Sequence, residues 1–325
     1  MREKRCNIRE IHEYAHKYAM TIAAKEGSEM LEIGSVLGGR YKILEQISKG
    51  DLSVVCRAND EKTGQSCAVK EVRKDGVIDY EVVKQGLVAE TNILKKLRHP
   101  SLPEIKDIID TDDSFIIVME WIDGCSMDKV LDEKGALPEE YVVEWAKQVC
   151  DALRYLHAQT PPLICGDLKP SNIMLKPDGC ICLVNFATAR KWRSAEALDA
   201  HTFPPVSLAS LIAYSAPEQL GSVRPLSSDS RTDIYRLGVT IYQMVTGCSP
   251  NPSAPPHYSM VPIRQIDPSL SKGLEKIILK CCEQKPEDRY QDCEELLDAF
   301  AREERREKRR RWLKRLHPSN IHRKH

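Results

Sequence analysis

The spacing of apolar residues changes at Gly124, and that change constrains the fold more than any other feature of the chain. Between Arg40 and Met119 the apolar residues come in short β-type runs, YKILEQIS (41–48), SVVCRAND (53–60) and SCAVKEVR (66–73). Turn residues, Lys49-Gly50-Asp51 and Thr63-Gly64, separate them as in an antiparallel meander. A helical period follows over 86–97, and two more strands are predicted at 105–109 and 115–119. Beyond Gly124 the period is mostly helical, with helices predicted over 138–157, 230–246, 274–282 and 293–304. A small β-rich unit therefore precedes a larger α-rich one, an α+β arrangement in two lobes.

Residues 7–30 are predicted to form a separate amphipathic helix, with Ile8, Ile11, Ala15, Tyr18, Ala19 and Ile22 at helical spacing and a break at Gly27-Ser28. Equal numbers of basic and acidic residues, 48 of each, supply no global field for a nucleic acid or a membrane. The balance is uneven along the chain: from Ala301 onward eleven Lys/Arg face three Glu, so the tail carries +8 and the first 300 residues −8. Trp312, Leu313 and Leu316 lie among the arginines of the tail. The tail 301–325 reads first as a solvated helix extension that frays and next as a segment that meets an anionic membrane surface, while no second basic patch points to nucleic acid. No run approaches the ~18 apolar residues of a membrane span, and the opening MREKRCNIRE lacks the apolar segment of a secretory signal. The twelve cysteines are scattered without a CxxC pair, which reads as reduced thiols in a cytoplasmic protein, peripheral at a membrane if the tail binds one. Cys281 and Cys282 are adjacent on a predicted helix, so one of them at most is expected to pack inward.

The chemistry is carried by residues in a fixed order. In the hairpin 47–55, small residues (Ser48, Gly50, Ser53) would let backbone N–H groups approach phosphate oxygens without obstruction by Cβ atoms. Lys70 ends the run Cys67-Ala68-Val69-Lys70, and Glu90 stands on the helix that follows. In Asp167-Leu168-Lys169-Pro170-Ser171-Asn172, an acid, a lysine two residues on and an asparagine five residues on supply a base, a phosphate clamp and a metal ligand from one loop. Ala216-Pro217-Glu218, the helical stretch Asp233-Ile234-Tyr235-Arg236-Leu237-Gly238, and Arg289 in KPEDRYQ complete the series.

Taken together these motifs resemble the protein kinase family from Arg40 to Phe300, in the phrasing of bacterial-type Ser/Thr kinases. The resemblance implies a bilobal protein-kinase-like fold, with an N-lobe over 40–119, a hinge over 120–124 and a C-lobe over 125–300, flanked by the segments 1–39 and 301–325. It implies ATP in the cleft between the lobes, with Mg²⁺ or Mn²⁺ as its cation. Asp167 and Lys169 would be catalytic. Lys70 would hold the α- and β-phosphates and pair with Glu90. Val55 and Ala68 would cover the adenine, Met174 would floor it and Met119 would be the gatekeeper, with hinge backbone from Glu120 to Ile122. Asn172 and residue 185 would ligate the metal, and Arg289 would pair with Glu218.

Three departures fall on the reacting parts. The HRD triplet reads Cys165-Gly166-Asp167, so the arginine that meets an activation-segment phosphate in the family is gone, and control by such a phosphate is not expected. DFG reads Asn185-Phe186-Ala187, which puts a neutral amide where the family has the carboxylate that holds Mg²⁺. A loss of ~3–5 kcal/mol of transition-state stabilisation would slow transfer on the order of 10²–10⁴-fold. The glycine loop carries Asp51 at its tip, where a carboxylate faces either solvent or the metal. The expectation is a pseudokinase that binds nucleotide and works through an unidentified protein partner. The alternative is an active, atypical Ser/Thr kinase, favoured by the retained Lys70, Glu90, Asp167, Lys169 and Asn172.

Overall fold

The computed structural model describes residues 31–49, 53–73, 95–111, 114–184, 190–191, 213–219, 229–250 and 260–315. The first lobe is a six-stranded antiparallel sheet in the order β1-β2-β3-β4-β6-β5, from Val36–Leu37, Tyr41–Lys49, Ser53–Asp60, Gln65–Arg73, Ser114–Glu120 and Ile105–Asp110 respectively. The predicted meander is therefore present as β2, β3 and β4. Register then sorts the side chains, because alternate residues of a strand point to opposite faces. Val55 lies opposite Lys70 and Ala68 opposite Met119, which places all four on one face of the sheet. The residues between them, Val54, Cys56, Cys67, Val69, Ile116 and Val118, join Tyr41, Ile43 and Ala58 in a sealed apolar cluster on the other face. Arg40 and Asp60 tie β2 to β3 through two bonds of 2.7 Å between guanidinium and carboxylate.

In the second lobe, β7 (Cys125–Ser126), α1 (Met127–Lys134) and α2 (Glu139–His157) lead to the short strands β8 (Leu163–Ile164), β9 (Ile173–Leu175) and β10 (Ile181–Leu183). Then come α3 (Ser230–Thr246), the single turn α4 (Ile263–Ile266), α5 (Lys272–Cys281) and α6 (Cys293–Arg315). α3 is the axis of this lobe, since its residues from Thr232 to Ile241 are all buried. Burial on every side marks a core helix, although Asp233 and Arg236 are among its buried residues. Its start is fixed by a capping box between Asp229 and Thr232, and its end by Gly247 in the left-handed conformation. Gly238 lets α5 approach it closely: a Cβ there would meet Cys281 Cβ at 2.6 Å and Cys282 Sγ at 2.8 Å.

Two expectations are corrected. Cys281 and Cys282 are both buried, at 0% and 7% exposure. α5 ends at Cys281, so the next residue leaves the helical period and turns its Sγ toward the carbonyl of Tyr235. The last helix runs to Arg315 rather than stopping at Glu304. The apolar period fades there, but Glu–Arg pairs three residues apart, Glu303 with Arg306 and Glu307 with Arg310, accompany the helix outward. Trp312 and Leu313 are exposed on this extension. Among the described residues no helix is long and apolar enough to cross a membrane, and the eleven described cysteines are free thiols. The N-terminal segment predicted as a helix lies outside the described residues.

Candidate active site

The loop between β8 and β9 is held from below by α3. Asp233, wholly buried, accepts backbone hydrogen bonds from Cys165 and Gly166 at 2.8 Å each, and its Oδ2 also meets His157 Nε2 at 2.8 Å. Burial alone would lower the pKa of His157, but Asp233 and Cys293, each bonded to one ring nitrogen, together outweigh it and raise the value to about 10, so the imidazole is charged at neutral pH. Gly166 sits at φ +71°, a conformation most residues avoid, and this turns its N–H down to Asp233. A Cβ at this position would meet only the Ile164 carbonyl oxygen, at an ordinary 3.9 Å, so the requirement for glycine is conformational.

From this base the loop presents its polar groups upward. Asn172, in a short 3₁₀ turn (Pro170–Asn172), donates from Nδ2 to the Asp167 carbonyl at 2.6 Å and to Asp167 Oδ2 at 2.9 Å. That leaves the amide oxygen as the acceptor the side chain can offer a cation. Lys169 Nζ lies 3.3 Å from Asp167 Oδ2, and Arg236 Nη1 lies 3.7 Å from Oδ1. From the sheet above, Lys70 is buried. Burial lowers its pKa to about 8, against the pull of Asp167 and with the repulsion of Lys169, so these three charges act on one another across the cleft. An ammonium held this way is matched to phosphate oxygens, and the donor set suits a nucleotide with its cation. No cluster of three or more His, Cys, Asp or Glu suited to a metal is found among the described residues.

The cleft face of the sheet thus carries Val55, Ala68, Lys70 and Met119, with Ser48 and Ser53 at the facing ends of β2 and β3. Met174 lies on β9 between Cys182 and Ser126, and the connecting strand leaves the sheet through Glu120 and Ile122. Gly50, Asp51, Glu90 and Asn185 lie outside the described residues. Cys165 is buried, and burial pushes its thiol far above the usual range, in keeping with a packing role. Arg289 and Glu218 pair as the sequence resemblance implied, through bonds of 2.8 and 2.7 Å.

Two residues escaped the sequence reading. Trp121 carries the Arg57 guanidinium 5.1 Å above its ring beside the connecting strand; Arg57 is on the same face as Val55, a position only strand register reveals. Arg236 reaches Asp167 from within α3. A signal for it existed, an arginine inside an otherwise apolar helical stretch, but its direction required the fold.

A bilobal fold with this loop defines a phosphotransferase-type site, and comparison with known proteins agrees. Residues 41–300 match the protein kinase domain family, and the chain belongs to it. It is 31% identical over 273 residues to a probable serine/threonine-protein kinase of Clostridium perfringens, covering 82% of this chain and 38% of that protein. It is 28% identical over 281 residues to the serine/threonine-protein kinase PrkC of Bacillus subtilis, covering 81% of this chain and 40% of the relative. The chain therefore spans about two fifths of the length of these curated relatives. The crystal structure of the Mycobacterium tuberculosis PknI kinase domain superposes with a TM-score of 0.63 at 22% identity, over 84% of this chain and 99% of that one. That likeness establishes the bilobal kinase fold, a β-sheet lobe followed by a helical one.

Proposed function

We propose that this Ser/Thr protein kinase-like domain holds ATP in its interlobe cleft and transfers the γ-phosphoryl group weakly or not at all, serving instead as a scaffold or allosteric partner. The observation that carries this reading is Asn185 at the position where the family has its metal-holding aspartate. Nucleotide binding is supported by the placement of Lys70 over Asp167 and Lys169, with Asn172 beside them. The competing reading, an active atypical Ser/Thr kinase, draws on the same residues, since Asp167, Lys169 and Asn172 form an intact loop constellation. In either reading the part played by Mg²⁺ or Mn²⁺ separates the two, because a neutral amide oxygen binds a hard cation less strongly than a carboxylate.

The test is thermal unfolding of the full chain with ATP in Mg²⁺, Mn²⁺ or EDTA, alongside a phosphotransfer assay. Binding to the native state raises the melting temperature by mass action. The expected result is a similar rise with and without metal, and transfer that Asn185→Asp increases on the order of 10²–10⁴-fold. A rise that requires metal, with robust transfer abolished by Asp167→Ala, would overturn the reading in favour of the active kinase.

A further inference from the structure

We propose that Arg236 is the positioning residue for the Asp167 carboxylate, acting from inside α3 on the oxygen that Lys169 of the loop does not engage. The proposal deepens the reading above, because it rests on Asp167 as the carboxylate that faces the phosphoacceptor.

Arg236 is 2% exposed, in a helix whose neighbouring residues are buried and mostly apolar. Taking a guanidinium out of water costs several kcal/mol unless its donors are met. Two of its nitrogens are met by neutral groups: Nε donates to Gln219 Oε1 at 3.1 Å and Nη2 to Ser215 Oγ at 3.3 Å. The third, Nη1, is buried without a hydrogen-bond acceptor among the described residues, and it stands 3.7 Å from Asp167 Oδ1. A closing movement of under ~1 Å turns that approach into a charge-assisted hydrogen bond.

The carboxylate is divided accordingly. Oδ2 is engaged by Asn172 and Lys169, and Oδ1 is turned toward Arg236. Two oxygens held from two sides fix the rotation of the carboxylate as well as its place. The loop residue beside Asp167 is Gly166, which has no side chain to offer. The cation that faces Oδ1 therefore comes from a rigid helix and is present whether or not the activation segment is modified. Ser215 and Gln219 close that segment, so the same guanidinium links its end to Asp167. The charged and titratable groups around this point are Lys169 and Cys165 of the loop, Lys70 of β4, Asp233 of α3 and Glu218 beyond the segment.

Arginine side-chain spectra test this without requiring any activity. In the full chain labelled with [¹⁵N]arginine, the Arg236 Nε–H signal is identified by its shift in Gln219→Ala. In Asp167→Asn, with the near-UV circular dichroism preserved, that signal is expected to shift and to exchange faster with solvent, because the neutral amide no longer holds the guanidinium. An unchanged signal in folded Asp167→Asn would overturn the proposal. If that variant does not fold, Arg236→Gln serves in its place, read at one neutral pH by the backbone-assigned carboxyl carbon signal of Asp167, which should move and broaden; an unchanged signal overturns the proposal as surely. A shifted Arg236 signal in a chain that transfers no phosphate would uphold the positioning role while removing its catalytic use, so the two readings fail separately.

Discussion

Arg289 and Arg236 are both sealed from solvent in the helical lobe, yet they meet their carboxylates differently. Arg289 clasps Glu218 in a fork of 2.8 and 2.7 Å, gives its Nε to the carbonyl of Glu283 and lies over the ring of Tyr235. Every donor group of that guanidinium has a partner. Arg236, one helix layer nearer the cleft, stops 3.7 Å short of Asp167 with Nη1 unmet. The floor of the lobe is built for stability, while the edge facing the nucleotide keeps an unfinished contact. Saturated charge networks rigidify, and an incomplete one near a cleft leaves room for ligand-dependent closure.

The comparison predicts where stability resides. Arg289→Ala should have the largest effect, about 3–5 kcal/mol of unfolding free energy, because it strands a carboxylate that was paired in the interior. Urea unfolding measures it, and a loss under about 1 kcal/mol would mean the floor is no more essential than the edge. Second is the pH dependence of the His157–Asp233 pair. With the histidine pKa raised from 6.5 to about 10 in the folded state, its contribution is full below pH 6.5 and is lost as pH rises toward 10. Unfolding free energy should therefore fall by a few kcal/mol across that window, as linkage at ~1.4 kcal/mol per pKa unit allows. His157→Gln should flatten the slope, and an equal slope in wild type and variant would show that the pair does not hold the loop. Smallest is Gly238→Ala, which forces a methyl against Cys281 and Cys282 and should cost about 1–3 kcal/mol, read as a lower denaturation midpoint at unchanged m value. No cost there would show that α5 yields, and that the floor is less tightly packed than its charge network.

Much of this was legible from the chain. The β-to-α change of period located the two lobes, and the spacing of Asp167, Lys169 and Asn172 identified a loop whose side chains lie within bonding distance of one another. Local spacing works there because one loop carries all three residues. The pairing of Arg289 with Glu218 came from family resemblance, since nothing local links residues 71 apart. Cys282 was misjudged because periodicity says nothing about the residue just past a helix end. The apolar period bounded α6 at Glu304, yet the reading of the tail as a solvated helical extension agrees with the helix to Arg315, because ion pairs rather than an apolar stripe accompany it there.

The sequence by itself determined the kinase class of the chain and the departures at Cys165-Gly166 and Asn185 that set it apart, because each is a matter of which residue occupies a motif position. Tertiary structure alone decided which cation outside the loop faces Asp167. An arginine in the middle of an apolar helix has no address in one dimension; only the crossing of α3 beneath the β8–β9 loop turns Arg236 toward Asp167, since helix rotation and packing, rather than sequence spacing, set where a buried side chain points.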